Sequence, residues 1–329
     1  MKIAVLDDYQ DAFRHLRCYP RLAGHEVVVF HDTIKDPDAL AARLAGFEAV
    51  LLTQQRTDLP ASVINRLPGL RLICQTGRNT HVDIAAATAR GIPVVAGSGG
   101  SVFATVELTW ALILAAQRNI PAEVARLRGG QWQGSVGAGL HGHVLGIYAP
   151  GRIGARVAAI GAAFGMRVLC WGREASRDAA GKAGFAMAES RAAFFAQADV
   201  LSLHLPLNAA TRGIVTAADL AGMKPDALLV NTSRAGIIAE GALAAALRAG
   251  RPGRAAVDVY EEEPVLNAAH PLLGLPNALC TPHLGYVEAD SYEALFGSAI
   301  DQILAFAEGR DVARINPPPG NQPSSPTLT

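Results

Sequence analysis

Short apolar runs of strand length alternate along the chain with Ala-rich stretches that have helical spacing. The early runs are Ile3–Leu6, Val27–Phe30, Ala49–Leu52, Leu72–Cys74 and Val94–Val95. The later runs are Val144–Tyr148, Arg167–Trp171, Val200–Leu203, Ala227–Asn231, Ala255–Val259 and Ala278–Cys280. Continuously apolar strands joined by helices are typical of parallel sheets with both faces covered. The pattern therefore predicts an α/β fold with two doubly wound parallel-sheet domains.

The chain of 329 residues is long enough for two domains. Ala104–Ile120 has the pattern of one long helix that Pro121 ends, and we place the domain boundary near residue 115. A helix over residues 289–308 is expected to return to the first domain. The predicted domains are residues 1–115 with 289–316, and residues 116–288. The tail, 317–329, has little apolar content and is predicted to be disordered.

Composition points to an ordinary globular protein. The formal net charge is zero, so the charge balance does not favour nucleic acid or an anionic membrane as a partner. Apolar residues make up 50% of the chain and charged residues 18%, which suits a protein with large cores. The four cysteines are scattered without CxxC spacing. We therefore expect reduced thiols. The N-terminal apolar run is too short for a signal peptide and no apolar stretch is long enough to be a confident membrane span, so we expect a cytoplasmic protein.

The segment from Val144 to Gly154 has the pattern of a strand, a tight turn and the start of a helix. It matches GxGxxG, except that Ala149 takes the first glycine position. In a βαβ unit this pattern binds the pyrophosphate of a dinucleotide, because glycine lets the backbone approach closely. Backbone N–H groups at the helix start would face the phosphates. The residues expected to form this cradle are Gly151, Arg152, Ile153 and Gly154.

Ala149 is followed by Pro150. A residue before proline is pushed to an extended backbone with negative φ, which alanine adopts without strain. The substitution of glycine by alanine is therefore expected to be compatible with a binding turn. The alternative is a Rossmann-like turn that no longer binds nucleotide.

The second strand of this unit ends at Trp171 and is followed by Gly172 and Arg173. Sites for NAD usually carry an acidic residue at this point, which binds the ribose 2′-OH. The absence of a carboxylate there and the presence of Arg173, with Arg177 nearby, favour binding of a ribose 2′-phosphate. The pattern therefore favours NADP as the cofactor, with NAD as the alternative.

Three later segments carry groups suited to carbonyl chemistry: Asn231–Arg234, Asp258–Pro264 and Thr281–Gly285. Together they supply a guanidinium, a carboxylate and an imidazole. A guanidinium can hold a substrate carboxylate in a two-pronged fork, and an imidazole can move the proton on the reacting oxygen. A carboxylate behind the imidazole orients it and favours its protonated form. The set predicts chemistry at a carbonyl that lies next to a carboxylate.

These motifs resemble those of the D-isomer-specific 2-hydroxyacid dehydrogenase family, which includes phosphoglycerate dehydrogenases and glyoxylate or hydroxypyruvate reductases. The resemblance covers residues 50–316. Its motifs in chain order are GRIG at 151–154, HLPL at 204–207 with Thr211, NTSRAG at 231–236, DVYEEEP at 258–264 and TPHLG at 281–285. Their joint occurrence in this order makes the resemblance specific.

The resemblance implies a flavodoxin-like substrate domain, a Rossmann cofactor domain and a homodimer. It implies hydride transfer between a nicotinamide cofactor and the α-carbon of a small 2-oxo or 2-hydroxy acid. Arg234 would bind the carboxylate and carbonyl of the substrate, His283 would be the general acid/base, and Glu263 would be its partner. The implied cofactor-binding residues are Gly151, Arg152, Ile153, Gly154, Gly172, Arg173, Leu205, Pro206, Thr211, Thr232 and, on the nicotinamide side, Asp258.

The resemblance leaves the substrate open. Arg56 matches a position where some relatives bind a distal anionic group of the substrate. Gly77 and Arg78 lie where the family usually has GxGxDNID, a loop whose backbone N–H groups face the substrate carboxylate. In this chain Gly77 and residues 82–84 keep that pattern, whereas Arg78 departs from it.

Two alternative functions stay open. One is a family member that acts on another small anion, such as phosphite or formate. The formate branch carries a His–Gln arrangement, so Glu263 in this chain argues against that branch. The other is a cofactor-sensing binding protein or corepressor on the same fold. The retained arginine, glutamate and histidine argue against a loss of catalysis. His141, His143 and His204 lack the further ligands of a metal site, so no metal is expected.

Overall fold

The computed structural model describes residues 1–77 and 81–318. The chain divides into two compact units: unit 1 contains Met1–Ser101 and the segment from Glu288 onward, and unit 2 contains Val102–Val287. The boundary predicted near residue 115 lies inside a helix that belongs entirely to unit 2. In the part of the chain that the structure describes, no helix combines the length and apolar character needed to cross a membrane.

Unit 1 is built on a five-stranded sheet in which every pairing is parallel. Its strands are β1 (Lys2–Val5), β2 (Glu26–Val29), β3 (Ala49–Leu52), β4 (Leu72–Gln75) and β5 (Val94–Ala96). Its helices are α1 (Pro37–Leu44), α2 (Ala61–Ile64), α3 (Ile84–Ala89) and the last helix of the chain (Ala289–Ala307), with 3₁₀ turns at Phe13–His15 and Tyr19–Leu22. The strand order β2-β1-β3-β4-β5 is that of flavodoxin-like sheets.

Unit 2 is built on a seven-stranded parallel sheet in the order β12-β11-β10-β9-β6-β7-β8. Its strands are β6 (Val144–Tyr148), β7 (Arg167–Trp171), β8 (Ala186–Met187), β9 (Val200–Leu203), β10 (Leu228–Asn231), β11 (Arg254–Val257) and β12 (Ala278–Cys280). Its helices are α4 (Val102–Gln117), α5 (Ile120–Arg128), α6 (Gly154–Ala163), α7 (Glu174–Lys182), α8 (Arg191–Gln197), α9 (Ala217–Ala221) and α10 (Ala242–Ala249), with 3₁₀ turns at Ala235–Ile237 and Pro271–Gly274. The order of β6 to β11 is that of a Rossmann sheet.

Alternate residues of the unit 2 strands pack into two cores, one on each face of the sheet. Val144 and Tyr148 of β6 belong to one core, while Leu145 and Ile147 belong to the other. Burial on both faces explains why the strands are apolar without interruption. The predicted fold of two doubly wound parallel sheets is therefore confirmed.

Two details differ from the sequence prediction. The two-residue strand β8 was not expected, because so short a run carries no periodic signal. The predicted single helix ending at Pro121 is wrong, since α4 ends at Gln117 and Pro121 lies in the first turn of α5. Proline is well tolerated at that position because the first N–H groups of a helix have no partner within the helix.

Candidate active site

Three segments that follow neighbouring strands carry the residues expected to perform the chemistry. Arg234 follows β10, Glu263 follows β11 and His283 follows β12, and these strands are adjacent in the sheet. Because the strands are parallel, the three segments leave the sheet at the same edge. Ligands of open α/β sheets bind outside this carboxyl edge.

His283 and Glu263 form a close pair. Nδ1 of His283 lies 2.6 Å from Oε2 of Glu263, and each side chain is 14% exposed. The ring of Tyr286 packs edge-on against the imidazole, with 5.4 Å between ring centroids. These contacts fix the plane of the imidazole and place its other nitrogen, Nε2, on the side opposite the carboxylate.

The backbone around His283 is held by a buried carboxylate. His283 has a φ of 52°, in the left-handed region that non-glycine residues rarely adopt, and its N–H donates to the carbonyl of Thr281 at 3.0 Å. Oδ1 of Asp258 accepts hydrogen bonds from the Thr281 hydroxyl at 2.6 Å and from the Leu284 N–H at 2.7 Å. Oδ2 accepts one from the Gly285 N–H at 2.9 Å. Asp258 therefore binds the segment on both sides of His283.

Asp258 is completely buried. Burial raises the pKa of its carboxyl group, while its three hydrogen-bond donors and the nearby His283 act in the opposite direction. An added Cβ at Gly285 would lie 3.3 Å from Oδ2 of Asp258, so glycine gives this N–H its close approach. The contacts of Asp258 support a role in holding the His283 segment, and its expected contact with nicotinamide stays a prediction.

Arg234 lies at the end of a turn that side chains stabilise. The amide of Asn231 donates to the carbonyl of Arg234 at 3.0 Å and accepts from the N–H of Ser233 at 3.0 Å. The Ser233 hydroxyl donates to the carbonyl of Leu203 on β9 at 2.9 Å. Nη1 of the partly buried Arg234 donates to the carbonyl of Ser233 at 2.7 Å. The guanidinium is therefore tethered close to the carboxyl edge of the sheet.

The expected phosphate cradle lies between β6 and α6. Ala149, at the start of this turn, has a φ of 65°, so the predicted negative φ is wrong. The N–H of Ala149 donates to the carbonyl of Trp171 at 2.8 Å, and its carbonyl accepts from the Gly151 N–H at 2.7 Å. These bonds outweigh the preference that Pro150 imposes. The left-handed conformation costs a residue with a Cβ about 1–2 kcal/mol.

The remaining cradle residues have the geometry of an anion site. An added Cβ at Gly154 would lie 2.7 Å from the carbonyl oxygen of Ala149, so this position needs glycine. At Gly151, in contrast, nothing described lies within 4 Å of an ideal Cβ. Within residues 1–77 and 81–318, the backbone N–H groups of Arg152 and Ile153 donate no hydrogen bond. Such N–H groups at a helix start can bind phosphate.

Gly172 and Arg173 lie beside the cradle turn. An ideal Cβ at Gly172 would be 3.6 Å from Cα of Ala149 and 2.4 Å from the hydroxyl of Ser176. Arg173 is the N-cap residue of α7 and is exposed, as is Arg177 one turn later. The end of β7 is thus close to the expected phosphate site, and two guanidinium groups follow it.

The expected cofactor residues outside the cradle contact neighbouring groups of the protein. The Thr211 hydroxyl donates to the carbonyl of Pro206 at 2.6 Å, and Leu205 is buried in the core. The Thr232 hydroxyl is 2.8 Å from that of Thr109 on α4. Sequence reasoning missed Thr109 as a partner, because no local pattern links residues so far apart in the chain. Cofactor contacts of these residues stay predictions.

The expected substrate residues belong to unit 1. Arg56 is 6% exposed and follows β3. It is close enough to the buried Asp7 to oppose the rise in pKa that burial causes in that carboxyl group. Gly77 follows β4, and an added Cβ there would lie 3.4 Å from Oε1 of Gln54. Arg78 lies outside the described residues.

His204, for which no metal was expected, lies beside Gly154 of the cradle turn. Its Nε2 is 2.9 Å from the Ser202 hydroxyl, and its Cδ2 is 3.2 Å from an ideal Cβ at Gly154. Burial lowers the pKa of His204 from 6.5 to about 4. The imidazole is therefore neutral near pH 7 and packs as part of the support for the turn.

Comparisons with known proteins point to one family. The family model for "D-isomer specific 2-hydroxyacid dehydrogenase, NAD binding domain" matches residues 110–285. A glyoxylate reductase from Aeropyrum pernix is 37% identical over 82% of this chain and 82% of its own length. The chain spans about half the length of several curated D-3-phosphoglycerate dehydrogenases that it also matches.

Solved structures extend the likeness over nearly the whole chain. An oxidoreductase from Ralstonia solanacearum is 50% identical, with a TM-score of 0.93, and the match covers 96% of this chain and 97% of that one. A phosphoglycerate oxidoreductase from Vibrio cholerae is 49% identical, with a TM-score of 0.91, and the match covers 94% and 99% of the two chains.

A Rossmann sheet whose first strand, turn and helix have the geometry of an anion site is typical of nicotinamide-dependent dehydrogenases. The chain belongs to the D-isomer specific 2-hydroxyacid dehydrogenase family. It is therefore an oxidoreductase that transfers a hydride between a nicotinamide cofactor and a small 2-hydroxy or 2-oxo acid.

The low pKa of His204 predicts a specific loss of stability in acid. The unfolded chain binds the extra proton below pH 6.5 and the folded chain only near pH 4. The contribution of a neutral His204 to the free energy of unfolding is therefore full above pH 6.5 and falls by up to about 3 kcal/mol as the pH drops to 4. Urea unfolding at several pH values should show a smaller acid loss in His204→Gln than in the unsubstituted protein. His15→Gln, at an exposed position, is the control, and an unchanged pH dependence in His204→Gln would contradict the assignment.

Proposed function

We propose that Arg234, Glu263 and His283 catalyse reversible hydride transfer between a nicotinamide cofactor and the α-carbon of a D-2-hydroxy acid or its 2-oxo product. The observation that carries this proposal is the 2.6 Å contact between Nδ1 of His283 and Oε2 of Glu263. It gives an oriented acid/base group at the same sheet edge as a tethered guanidinium and a phosphate cradle. The names of the relatives suggest glyoxylate and phosphate-bearing hydroxy acids as the first substrates to test.

Each group has a separate chemical task. Arg234 has the planar donor set that binds a carboxylate in two places and polarises the neighbouring carbonyl oxygen. In reduction, Nε2 of His283 donates a proton to that oxygen, and in oxidation it takes the proton back. Glu263 stabilises the positive charge that the imidazole carries before it donates. A bound nicotinamide supplies or accepts the hydride, and the backbone at 151–154 would hold its pyrophosphate.

We propose NADP rather than NAD as the preferred cofactor. Gly172 takes the position of the acidic residue that usually binds the ribose 2′-OH, so no carboxylate side chain at that position repels a 2′-phosphate. Arg173 and Arg177, both exposed beyond the end of β7, can bind the phosphate through charge-assisted hydrogen bonds.

We also propose a homodimer formed through α5 and the segment after it. None of the residues of α5 is buried within the described chain, and Ile120, Val124 and Leu127 are 50%, 41% and 60% exposed at helical spacing. Trp132 is 75% exposed. An apolar face of this kind is expected to pack against another protein surface, and the family resemblance favours a second copy of the chain.

The catalytic proposal predicts that His283→Asn lowers kcat about 10²-fold or more, because the proton on the substrate oxygen loses its donor. The measurement is oxidation of NADPH and NADH with glyoxylate, hydroxypyruvate and 3-phosphohydroxypyruvate, with cofactor affinity determined by fluorescence titration. Cofactor binding should be unchanged. His143→Asn is the matched control, since His143 also lies near a carboxylate, 3.5 Å from Asp199. A kcat within about twofold of the unsubstituted enzyme would remove His283 from its role.

The cofactor proposal predicts that Arg173→Ala raises the Kd of NADPH about 10-fold or more, because charge-assisted hydrogen bonds to the 2′-phosphate are lost. The Kd of NADH should change less than about twofold. Arg167→Ala removes an exposed arginine from the opposite end of β7 and serves as the control. An equal effect on both cofactors, or none on either, would contradict the preference for NADP.

The dimer proposal predicts that the chain has the mass of two copies in light scattering coupled to size-exclusion chromatography. Leu127→Glu combined with Trp132→Glu should give monomers, because two charges would be placed in an apolar interface. Leu273→Glu alters an apolar residue that is 42% exposed elsewhere in unit 2 and should remain dimeric. A monomeric unsubstituted chain, or a double variant that stays dimeric, would rule out this interface.

A further inference from the structure

Tyr260 contacts Glu263 through its backbone N–H, and through its hydroxyl it contacts Thr281, which begins the turn that carries His283. Its backbone N–H donates to Oε1 of Glu263 at 3.0 Å, whereas His283 contacts Oε2. Its hydroxyl donates to the carbonyl oxygen of Thr281 at 2.9 Å. The backbone N–H of His283 donates to that same carbonyl oxygen at 3.0 Å. Tyr260 therefore links the carboxylate to the turn that carries the imidazole.

The ring of Tyr260 is fixed by its surroundings. The residue is 9% exposed, and its ring packs edge-on against His270 with 4.9 Å between ring centroids. His270 is itself held, because its Nε2 lies 2.9 Å from a carboxylate oxygen of Glu261 and its Nδ1 accepts the N–H of Leu272 at 3.3 Å. A fixed ring sets the position of the hydroxyl, and the hydroxyl sets the position of the Thr281 carbonyl.

The turn at His283 needs such support. A φ of 52° is unfavourable for a residue with a side chain. Asp258 holds the N–H groups that follow His283 and the hydroxyl of Thr281, but it does not hold the Thr281 carbonyl. That carbonyl accepts the hydrogen bond of the His283 N–H. It also accepts one from the hydroxyl of Tyr260, which lies in the same segment as Glu263.

We propose that Tyr260 is a positioning residue for the acid/base pair, an inference that rests on the proposed function of Glu263 and His283. Its hydroxyl keeps the left-handed turn in place, so that Nδ1 of His283 stays within hydrogen-bond distance of Glu263. Tyr260→Phe retains the ring and the backbone N–H and removes the hydroxyl, with its hydrogen bond to the Thr281 carbonyl and its contact with Cys280. The loss should appear in kcat and should depend on the presence of the Glu263 carboxylate.

A double-mutant cycle tests the proposal with the full-length enzyme. Tyr260→Phe should lower kcat about 10-fold while the Kd of the reduced cofactor changes less than about twofold. In a Glu263→Gln background, where the ion pair is already lost, the same substitution should lower kcat less than about twofold. Tyr292→Phe is the matched control, because Tyr292 is 6% exposed and its hydroxyl bonds Gln10 in unit 1. The control should match Tyr260→Phe in thermal stability and retain full kcat.

A general structural role for Tyr260 would give a different result. Equal losses of kcat in the Glu263 and Glu263→Gln backgrounds would overturn the proposal, because the hydroxyl would then act independently of the pair. A kcat of Tyr260→Phe within about twofold of the unsubstituted enzyme would also overturn it. Both results leave the proposed function intact if Glu263→Gln is impaired. Full kcat in Glu263→Gln would instead overturn the role of Glu263 and the role of Tyr260 with it.

Discussion

The carboxylate of Asp258 is completely buried, and it binds the Thr281 hydroxyl and the N–H groups of Leu284 and Gly285. The backbone of the segment that carries His283 is left-handed at that residue. These hydrogen bonds hold the segment in this conformation, together with the one from the Tyr260 hydroxyl to the Thr281 carbonyl. A carboxylate with three donors is a strong local constraint, since an unpaired buried charge is costly. The orientation of His283 toward Glu263 depends on this constraint.

The parallel sheet of unit 2 explains why the remaining groups collect at one edge. Arg234, Glu263 and His283 follow three adjacent strands that run in the same direction. The turn proposed to bind phosphate follows β6 at the same carboxyl edge. The central strands β6, β9 and β10 are buried on both faces, so the middle of the sheet is a rigid support and the segments after the strands are available for chemistry. Hydride transfer needs this kind of fixed arrangement, because reacting groups must be held within contact distance.

The strands and the motif positions were predictable because they depend on local patterns. Apolar runs such as Val144–Tyr148 end where turn residues begin, and that signal is strong in a buried parallel sheet. The positive φ of Ala149 was not predictable from the local sequence, because its N–H donates to the carbonyl of Trp171 on a different strand. The contacts of Tyr260 with Thr281 and of Thr109 with Thr232 also join distant parts of the chain. Position in a motif indicates which residues are important, whereas tertiary contacts decide what each one does.

Hydride transfer to the α-carbon of a 2-oxo acid leaves a label that can be followed in the product. The most direct measurement is reduction of a 2-oxo acid with reduced nicotinamide cofactor that carries deuterium at the transferred position, followed by mass spectrometry and chiral analysis of the product. We predict one deuterium on the α-carbon of a 2-hydroxy acid of D configuration. A product without deuterium at that carbon, or one of L configuration, would contradict the assignment.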